Sequence, residues 1–484
     1  MSNDRSVALN GGIWTGISTA VTLVATFARV MILTRFLEKS DFGVVSIINI
    51  VIGLCTTFTD LGFASVIMYK QKLTDKEFSS LFWTQLILFS FIYLILWGLA
   101  PLLSSFYEEP SLSVLIPIAS LSVICQAFGK LYDSVLQKQY KFQLLAFRNI
   151  ISNFASLILA GWMAWAGYGV YSLVFSTLCQ AVILNVWNFL SGIKMQKVRF
   201  LYDFIEILPL IKIGVYQTGT RILDFFSNKL DVMIIGKLLG TEALGLYDLA
   251  KELVYKLVEL IRTVVSKVAL PILSNNNSNE DAVRNKFLMI TKTVATLCIP
   301  ICVTVTVFSE DVVHIVYGES YIEIAPLVSI FSVITMFTSI SSFFDMLGIA
   351  KGRTDLNFRN TVYRVLMTTP MIFVCSLWSI TAVAIGQLIV TLCMVFVFWS
   401  VVVQKTYPMS LKEYFAQFDH VLYLTIAVAL VVCGIRMLVS DKIGGTWVFS
   451  MIIFGFIYSL LLISSALIFL HKEIKFFTKL VKGK

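Results

Sequence analysis

The 484-residue chain has few charged residues and few of the side chains that usually carry catalysis. Charged residues make up only 14% of it and histidine occurs three times, whereas 58% of the residues are hydrophobic and the mean hydropathy is +0.85. A GxxxxGK[ST] phosphate loop, an HExxH zinc motif and a GxSxG nucleophile turn are all absent from it. These absences argue against a soluble enzyme, and the composition indicates an integral membrane protein.

Metal-ligand and redox patterns are missing as well. The eight cysteines lie mostly within apolar runs and lack the paired spacing of a zinc site or a redox motif. We interpret them as small buried apolar residues. The acidic residues near His314, which include Glu310, Asp311 and Glu319, fit a solvated loop better than a metal site. We therefore expect no catalytic residue, no metal and no cofactor.

Long apolar runs fill most of the chain. Runs of about 20 residues, bounded by charged or turn residues, predict membrane-spanning helices. The seventh and eighth runs are weak by hydropathy, and we retain them because an internal repeat requires them. The fourteen predicted spans are 12–36, 43–68, 79–103, 112–136, 144–165, 168–190, 208–236, 245–272, 288–308, 324–348, 360–378, 380–403, 420–440 and 446–470.

Basic residues alternate between the two ends of these predicted spans. Short loops rich in Lys and Arg stay in the cytoplasm. One side of the membrane receives basic loops such as those at Lys138 and Arg284, and the other receives acidic loops such as those at Glu108 and Glu310. Both termini are therefore predicted to be cytoplasmic. This topology explains the net charge of +9, and no nucleic-acid partner is needed.

An internal repeat divides the chain. A shift of 202 residues aligns 32–46 with 234–248 without a gap, and a shift of 211 aligns the triplet Phe-Arg-Asn at 147–149 with the same triplet at 358–360. Six predicted spans separate the copies, so the two halves have the same orientation in the membrane. The predicted fold is all-α, with two parallel six-helix bundles around a central cavity. The predicted domains are 1–200, 201–410 and a third part, 411–484, with two additional spans and a basic tail.

Ionisable and polar residues recur at helical spacing inside several predicted spans, so that each set shares one helix face. A charge near the bilayer centre costs about 2.5–3.5 kcal/mol, and such a face is therefore expected to contact protein or water. The alternative is a solvated face of a soluble helix. The candidate cavity residues are Arg29, Asn49, Asp60, Gln217, Arg221, Asp224, Asn228, Asp231, Glu252, Tyr255, Glu259 and Arg262.

Small polar residues accompany Arg29 on the first span. Thr15, Ser18, Thr22 and Thr26 precede it at spacings of three and four residues. Such residues suit a cavity wall and suit the packing of membrane helices equally well. Both interpretations stay open for this row.

Five segments in order carry a family resemblance: LTRFLEKSDFGVVSI (33–47), TDLGFASVI (59–67), GLYDLAKEL (245–253), VALPILS (268–274) and VYGESY (316–321). Together they resemble the Wzx-like polysaccharide flippases of the multidrug/oligosaccharidyl-lipid/polysaccharide exporter superfamily. The resemblance implies that undecaprenyl-pyrophosphate-linked oligosaccharide moves by alternating access from the inner to the outer leaflet of a bacterial plasma membrane. It also implies a role in capsule, exopolysaccharide or O-antigen assembly, with a polymerase and glycosyltransferases as partners.

The candidate cavity residues suit an anionic, sugar-bearing cargo. Arg29, Arg221 and Arg262 are expected to contact the pyrophosphate, because guanidinium stays charged when buried and can form paired hydrogen bonds with phosphate oxygens. Sugar hydroxyls are assigned to Asn49, Gln217 and Asn228, and stacking on sugar rings to Tyr216 and Tyr255.

The acidic candidates leave two alternatives open. Asp60, Asp224, Asp231, Glu252 and Glu259 neutralise the arginines in the resting cavity, or one of them binds a proton or sodium ion that drives the cycle.

Other functions are weaker interpretations. A drug or cation antiporter of the same superfamily would favour a cavity dominated by acids, and a lipid II flippase shares the topology. A membrane polysaccharide polymerase or ligase would need a long outer loop to hold its acceptor, whereas no predicted outer loop exceeds about 20 residues. We therefore expect a transporter and not an enzyme.

Overall fold

The computed structural model describes residues 2–59, 63, 67, 70, 74–203, 222, 225–274 and 280–439. The regular elements of these residues are helical, and no strand occurs among them, as the predicted all-α class requires. The chain forms two compact units, Met1–Asp248 with Val316–Gly318, and Leu249–Ile315 with Glu319–Lys484. The predicted domain boundaries at 200 and 410 stay predictions.

The first unit is a bundle of long helices. Helix α4 packs against α3 and α6, while α5 packs against α1 and α6. A long helix, α8, begins in this unit and continues into the second. The helices are α1 (Ser2–Leu33), α2 (Lys39–Thr59), α3 (Asp75–Tyr107), α4 (Leu112–Lys138), α5 (Phe142–Trp165), α6 (Val170–Gly192), α7 (225–238) and α8 (Gly240–Ser274).

Local sequence explains where α3 begins and ends. The Thr74 hydroxyl accepts a hydrogen bond from the Glu77 backbone N–H, and the Glu77 carboxylate accepts one from the Thr74 N–H, which forms a reciprocal capping box. The helix stops at Glu108, whose φ of 57° is left-handed and therefore cannot continue an α-helix.

The second unit has a large apolar core. Helix α9 packs against α11 and α17, and α14 packs against α11 and α13. The rings of Phe287, Phe344 and Tyr414 meet in this core. Its elements are α9 (Glu280–Val307), α10 (Ser309–Val316), a 3₁₀ segment (Glu319–Ile324), α11 (Ala325–Ser341), α12 (Phe344–Ala350), α13 (Thr354–Ser376), α14 (Ile380–Phe398), a π segment (Trp399–Val403), α15 (Gln404–Thr406), α16 (Leu411–Phe415) and α17 (Asp419–Val439).

Within the part of the chain that the structure describes, nine helical segments are long and apolar enough to cross a membrane. They coincide with the first six predicted spans and with the ninth, tenth and twelfth, so the chain is a multi-pass membrane protein. The nine are Gly11–Leu33, Lys39–Thr57, Asp75–Tyr107, Leu112–Lys138, Phe142–Trp165, Val170–Gly192, Glu280–Val307, Glu319–Ala350 and Ile380–Thr406.

The other five predicted spans are not among these nine segments. Helices α8 and α13 occupy the eighth and eleventh, yet they do not belong to the apolar set, and α17 is apolar over the shorter stretch Asp419–Gly434. Most of the seventh span and all of the fourteenth lie outside the described residues. The total of fourteen stays a prediction.

The two copies of the first repeated segment cross each other closely within the first unit. A Cβ atom on Gly43 would overlap the Thr241 carbonyl oxygen, and a Cβ atom on Gly245 would overlap the Lys39 carbonyl oxygen. Under the shift of 202 residues, Gly43 corresponds to Gly245 and Lys39 to Thr241. The contact thus has the approximate twofold symmetry expected of a repeat, and glycine at both positions lets the two backbones touch.

A hydrogen bond extends this symmetric contact. Ser46 and Asp248 are also equivalent under the shift of 202, and the Ser46 hydroxyl donates to Asp248 Oδ2 at 2.5 Å. The local axis that relates the two segments therefore passes near this pair.

Candidate functional site

The polar row of α1 lies on a partly buried face of that helix. Ser18 is buried, while Thr15, Thr22, Thr26 and Arg29 are half-buried. The hydroxyls of Thr15 and Thr26 donate to carbonyl oxygens one turn earlier in the helix, each at 2.8 Å. These bonds satisfy the hydroxyls inside an apolar environment without a partner from another helix. Because α1 packs against α5, this face has access to the side chains of the bundle.

Arg29 is the described cation of this row, and its side chain turns to protein. Its Nη1 donates to Ser156 Oγ at 3.2 Å, and Ser156, which is 1% exposed, donates to the Ser176 carbonyl oxygen at 2.8 Å. The guanidinium thus contacts a hydroxyl of α5, which in turn is hydrogen-bonded to a carbonyl oxygen of α6. A charge within an apolar span is expected to face the bundle interior or a cavity and to mark a functional site.

Amide side chains extend the polar region from Arg29 along α5 and α6. Asn153 Nδ2 donates to Thr22 Oγ1 at 3.4 Å and to the Asn149 carbonyl oxygen at 2.7 Å. Gln180 Nε2 donates to Asn153 Oδ1 at 3.2 Å. We call Arg29, Thr22, Asn153, Ser156 and Gln180 the α1 cluster. Its hydroxyl and amide groups can exchange hydrogen bonds with sugar hydroxyls, and its guanidinium can bind an oxyanion.

Three members of this cluster, Asn153, Ser156 and Gln180, are absent from the site predicted from sequence. Asn149, Asn153 and Ser156 follow one another at spacings of four and three residues, which places them on one face of α5. The same criterion that selected the candidates on other spans would have found this set. Gln180 lies on α6, and only the packing of α5 against α6 brings it to Asn153.

On α2 and α7, three predicted residues have different environments. Asn49 on α2 and Asn228 on α7 are exposed. Asp231 on α7 is 3% exposed; it accepts a hydrogen bond from the Tyr247 hydroxyl at 2.8 Å and one from the Val232 backbone N–H at 2.9 Å. Asp231 is therefore a buried and hydrogen-bonded carboxyl group.

The candidates on the later part of α8 belong to the second unit. Glu252 and Glu259 are exposed, while Tyr255 and Arg262 are half-buried. Glu259 Oε2 lies 3.3 Å from Lys256 Nζ, one turn away on the same helix. The remaining candidates, Asp60, Gln217, Arg221 and Asp224, lie outside the described residues.

Lys237, which the repeat aligns with Arg35, lies at the end of α7 and pairs with a loop residue. Its Nζ is 2.8 Å from Glu108 Oε1 and 5.3 Å from the centre of the Phe106 ring. The ammonium lowers the pKa of the exposed Glu108 carboxyl group through this hydrogen bond.

The chain shares its fold with a solved membrane protein. The chain is similar to the solved structure of the lipid II flippase MurJ in an inward closed conformation, with a TM-score of 0.74 and 18% identity over 96% of this chain and 99% of that one. Residues 32–326 match the family described as "Polysaccharide biosynthesis protein", and the chain belongs to that family. This membership confirms the resemblance inferred from the five sequence segments.

Two curated relatives show the breadth of that family. The chain is 24% identical to the teichuronic acid biosynthesis protein TuaB of Bacillus subtilis (strain 168), over 353 residues and 72% of each protein. It is 20% identical to the lipopolysaccharide biosynthesis protein WzxC of Escherichia coli (strain K12), over 449 residues, 91% of this chain and 89% of that protein.

Proposed function

We propose that the protein moves polyprenyl-diphosphate-linked oligosaccharide units from the cytoplasmic to the outer leaflet of a bacterial plasma membrane by alternating access. Membership of the polysaccharide biosynthesis family and the likeness to a lipid II flippase fold support this function. Both termini lie in the cytoplasm in this proposal, and a polysaccharide polymerase and glycosyltransferases act on the same lipid-linked glycan.

The observation that carries the proposal is the environment of Arg29. Its guanidinium lies in an apolar span and donates to the buried Ser156 hydroxyl, among amide groups that suit a glycan. Placing a cation there costs about 2.5–3.5 kcal/mol on the most lenient scale, a cost that an anionic cargo offsets during transport. A diphosphate supplies that negative charge, and its sugar supplies hydroxyl partners for Asn153 and Gln180.

The other two predicted arginines complete the proposed site. Arg221 and Arg262 join Arg29 in contacting the diphosphate. Transport is coupled to a proton or a sodium ion, and Asp231 is the described acidic candidate that is buried, as such a role requires.

The test replaces Arg29 with Ala in the source bacterium and follows surface polymer, lipid-linked intermediates and the amount of protein in the membrane. We expect normal insertion, at least about a tenfold loss of polymer and accumulation of intermediates, because a lost charge-assisted hydrogen bond costs about 1.5–3 kcal/mol. Arg29→Lys, which keeps the charge, should retain more activity. A gain in drug sensitivity with normal polymer would instead indicate an antiporter.

Arg353→Ala is the matched control for this experiment. Arg353 is an exposed arginine, and its Nε lies 2.8 Å from Asp355 Oδ1, two residues away. Its loss removes the same charge outside the α1 cluster, so polymer export should stay normal. Normal polymer in the Arg29→Ala strain would refute the assignment of Arg29 to the cargo.

A further inference from the structure

A polar cavity lies inside the first unit between α4, α5 and α6. Its volume is about 350 Å³, which is the size of a small-molecule site and much larger than a single water requires. Its wall is rich in charged and amide side chains, although all three helices are apolar overall. The residues that matter here are Lys130, Asp133, Arg148, Asn149, Gln180 and Asn188.

The wall of the cavity carries charges of both signs. Lys130 and Arg148 contribute positive charges and Asp133 a negative charge. Arg148 Nη2 pairs with Asp133 Oδ1, while Gln137 Nε2 donates to the other carboxylate oxygen, Oδ2, at 2.7 Å. Both oxygens of Asp133 thus have a partner.

Arg148 itself is only partly satisfied. It is 7% exposed, and its Nε and Nη1 atoms have no hydrogen-bond partner among the described residues. Asn188, which is 3% exposed, has an unpaired Oδ1 acceptor in the same wall. A buried guanidinium with unpaired N–H groups is costly, and the cost disappears when an oxyanion accepts them. An amide oxygen in turn requires a donor, which a hydroxyl group provides.

We propose that this cavity binds a phosphate oxyanion attached to a hydroxyl-bearing group. Arg148 and Lys130 supply the positive charge, and Asn188 and Gln180 supply hydrogen bonds to the hydroxyls. Guanidinium is suited to this role because it stays charged when buried.

The cavity adjoins the α1 cluster. Gln180 lines the cavity and also donates to Asn153, which in turn contacts Thr22 on α1. Basic residues place the α4–α5 loop on the predicted cytoplasmic side, so the cavity lies at the end of the bundle where a cytoplasmic ligand would enter. The amide groups of Gln180 and Asn153 thus form a polar path from the cavity towards Arg29.

Two sources would supply the same phosphate chemistry: the diphosphate of the cargo, which rests on the proposed function, and the headgroup of a bilayer phospholipid, which does not.

The experiment titrates inorganic pyrophosphate into the full-length protein in phosphatidylcholine nanodiscs and measures binding by calorimetry. The main variant combines Arg148→Gln with Asp133→Asn, which removes both members of the ion pair and leaves no buried carboxylate without its partner. We expect its affinity for pyrophosphate to fall roughly tenfold or more. Lys130→Gln changes a half-buried residue and so tests the same site with less effect on folding; its affinity should fall severalfold.

Arg359→Gln is the matched control. Arg359 occupies the position equivalent to Arg148 in the second Phe-Arg-Asn triplet, yet it is exposed and does not line the cavity. It should bind pyrophosphate like the unaltered protein. Equal binding by all variants, or no binding by the unaltered protein, would overturn the proposal.

A second arm repeats the titration in nanodiscs that contain phosphatidylglycerol. Unchanged affinity for pyrophosphate supports a diphosphate ligand. Weaker apparent affinity that depends on Arg148 supports occupation by a lipid headgroup phosphate. The binding assay needs neither cargo nor transport, so its failure would leave the flippase proposal to be judged by polymer export alone.

Discussion

Several polar residues inside this apolar protein are stabilised by a partner on another helix. Arg29 donates to Ser156, and Asp231 accepts from Tyr247. A buried polar group without a partner costs about 1–3 kcal/mol, so these pairs matter for stability as well as for transport. The Asp231–Tyr247 pair is the better test of stability, because both side chains are almost fully buried.

We predict that Tyr247→Phe lowers the apparent melting temperature of the purified protein, because it leaves a buried Asp231 oxygen with one hydrogen bond fewer, a loss of about 1–3 kcal/mol. Asp231→Asn should also lower it. The double variant should be no less stable than the less stable of the two single variants. The stability losses should not add, because the two residues share one hydrogen bond.

Tyr423→Phe is the control for this set, because Tyr423 is 68% exposed on α17 and its hydroxyl should contribute little. Fully additive losses in the double variant would show that the two side chains are not coupled.

At the level of helices, the crossing of α2 with the start of α8 depends on two glycines. Gly43 and Gly245 each meet a carbonyl oxygen of the other segment, where no Cβ atom fits. Even the single methyl group of alanine would therefore push the two backbones apart at this crossing.

We predict that Gly43→Ala and Gly245→Ala each destabilise the protein by about 1–3 kcal/mol, because the added methyl group forces two backbones apart. Heat-induced loss of the monodisperse peak in size-exclusion chromatography would measure the effect.

Gly98→Ala on α3 is the matched control, because a Cβ atom there meets nothing within 4 Å. It should be neutral or slightly stabilising, since Ala favours a helix more than Gly does. Equal stability of all three variants would mean that the two helices move apart at this crossing without strain.

For the whole molecule, topology follows from the distribution of basic residues relative to the spans. The nine apolar helical segments in the described part of the chain agree with the predicted order of spans. The orientation of each loop rests on charge alone, because helix positions do not by themselves distinguish the two sides of a bilayer.

We predict that alkaline phosphatase, which is active only after export, is active when fused after Glu109 or Glu319 and inactive when fused after Lys141, Lys286 or Lys412. We expect Lys and Arg near the span ends to hold the second group of loops in the cytoplasm. An active fusion after Lys286 would contradict the proposed parallel orientation of the two halves. The side on which that loop lies shows whether the chain crosses the membrane an even number of times between the sixth and the ninth predicted spans.

Much of the fold could be predicted because each membrane helix corresponds to a long, continuous run of apolar residues in the sequence. Hydropathy located the first six helices of the first unit, with close agreement at both ends for α3 to α6, and the repeat kept α8 although its polar face hides it from hydropathy. The candidate site was predicted less completely. Regular spacing identified Arg29 and Asp231 but none of their partners, because Ser156 and Tyr247 lie on other helices.

The sequence by itself determined that this is an all-α, multi-pass membrane protein, because the cost of placing polar backbone in lipid leaves helices as the local solution for apolar runs of this length. The tertiary structure alone decided which polar groups meet. The contact of Arg29 with the Ser156 hydroxyl, that of Asp231 with the Tyr247 hydroxyl and the unsatisfied guanidinium of Arg148 all depend on how different helices pack against one another. Such contacts are set by side-chain packing, which no periodic pattern within a single helix can specify.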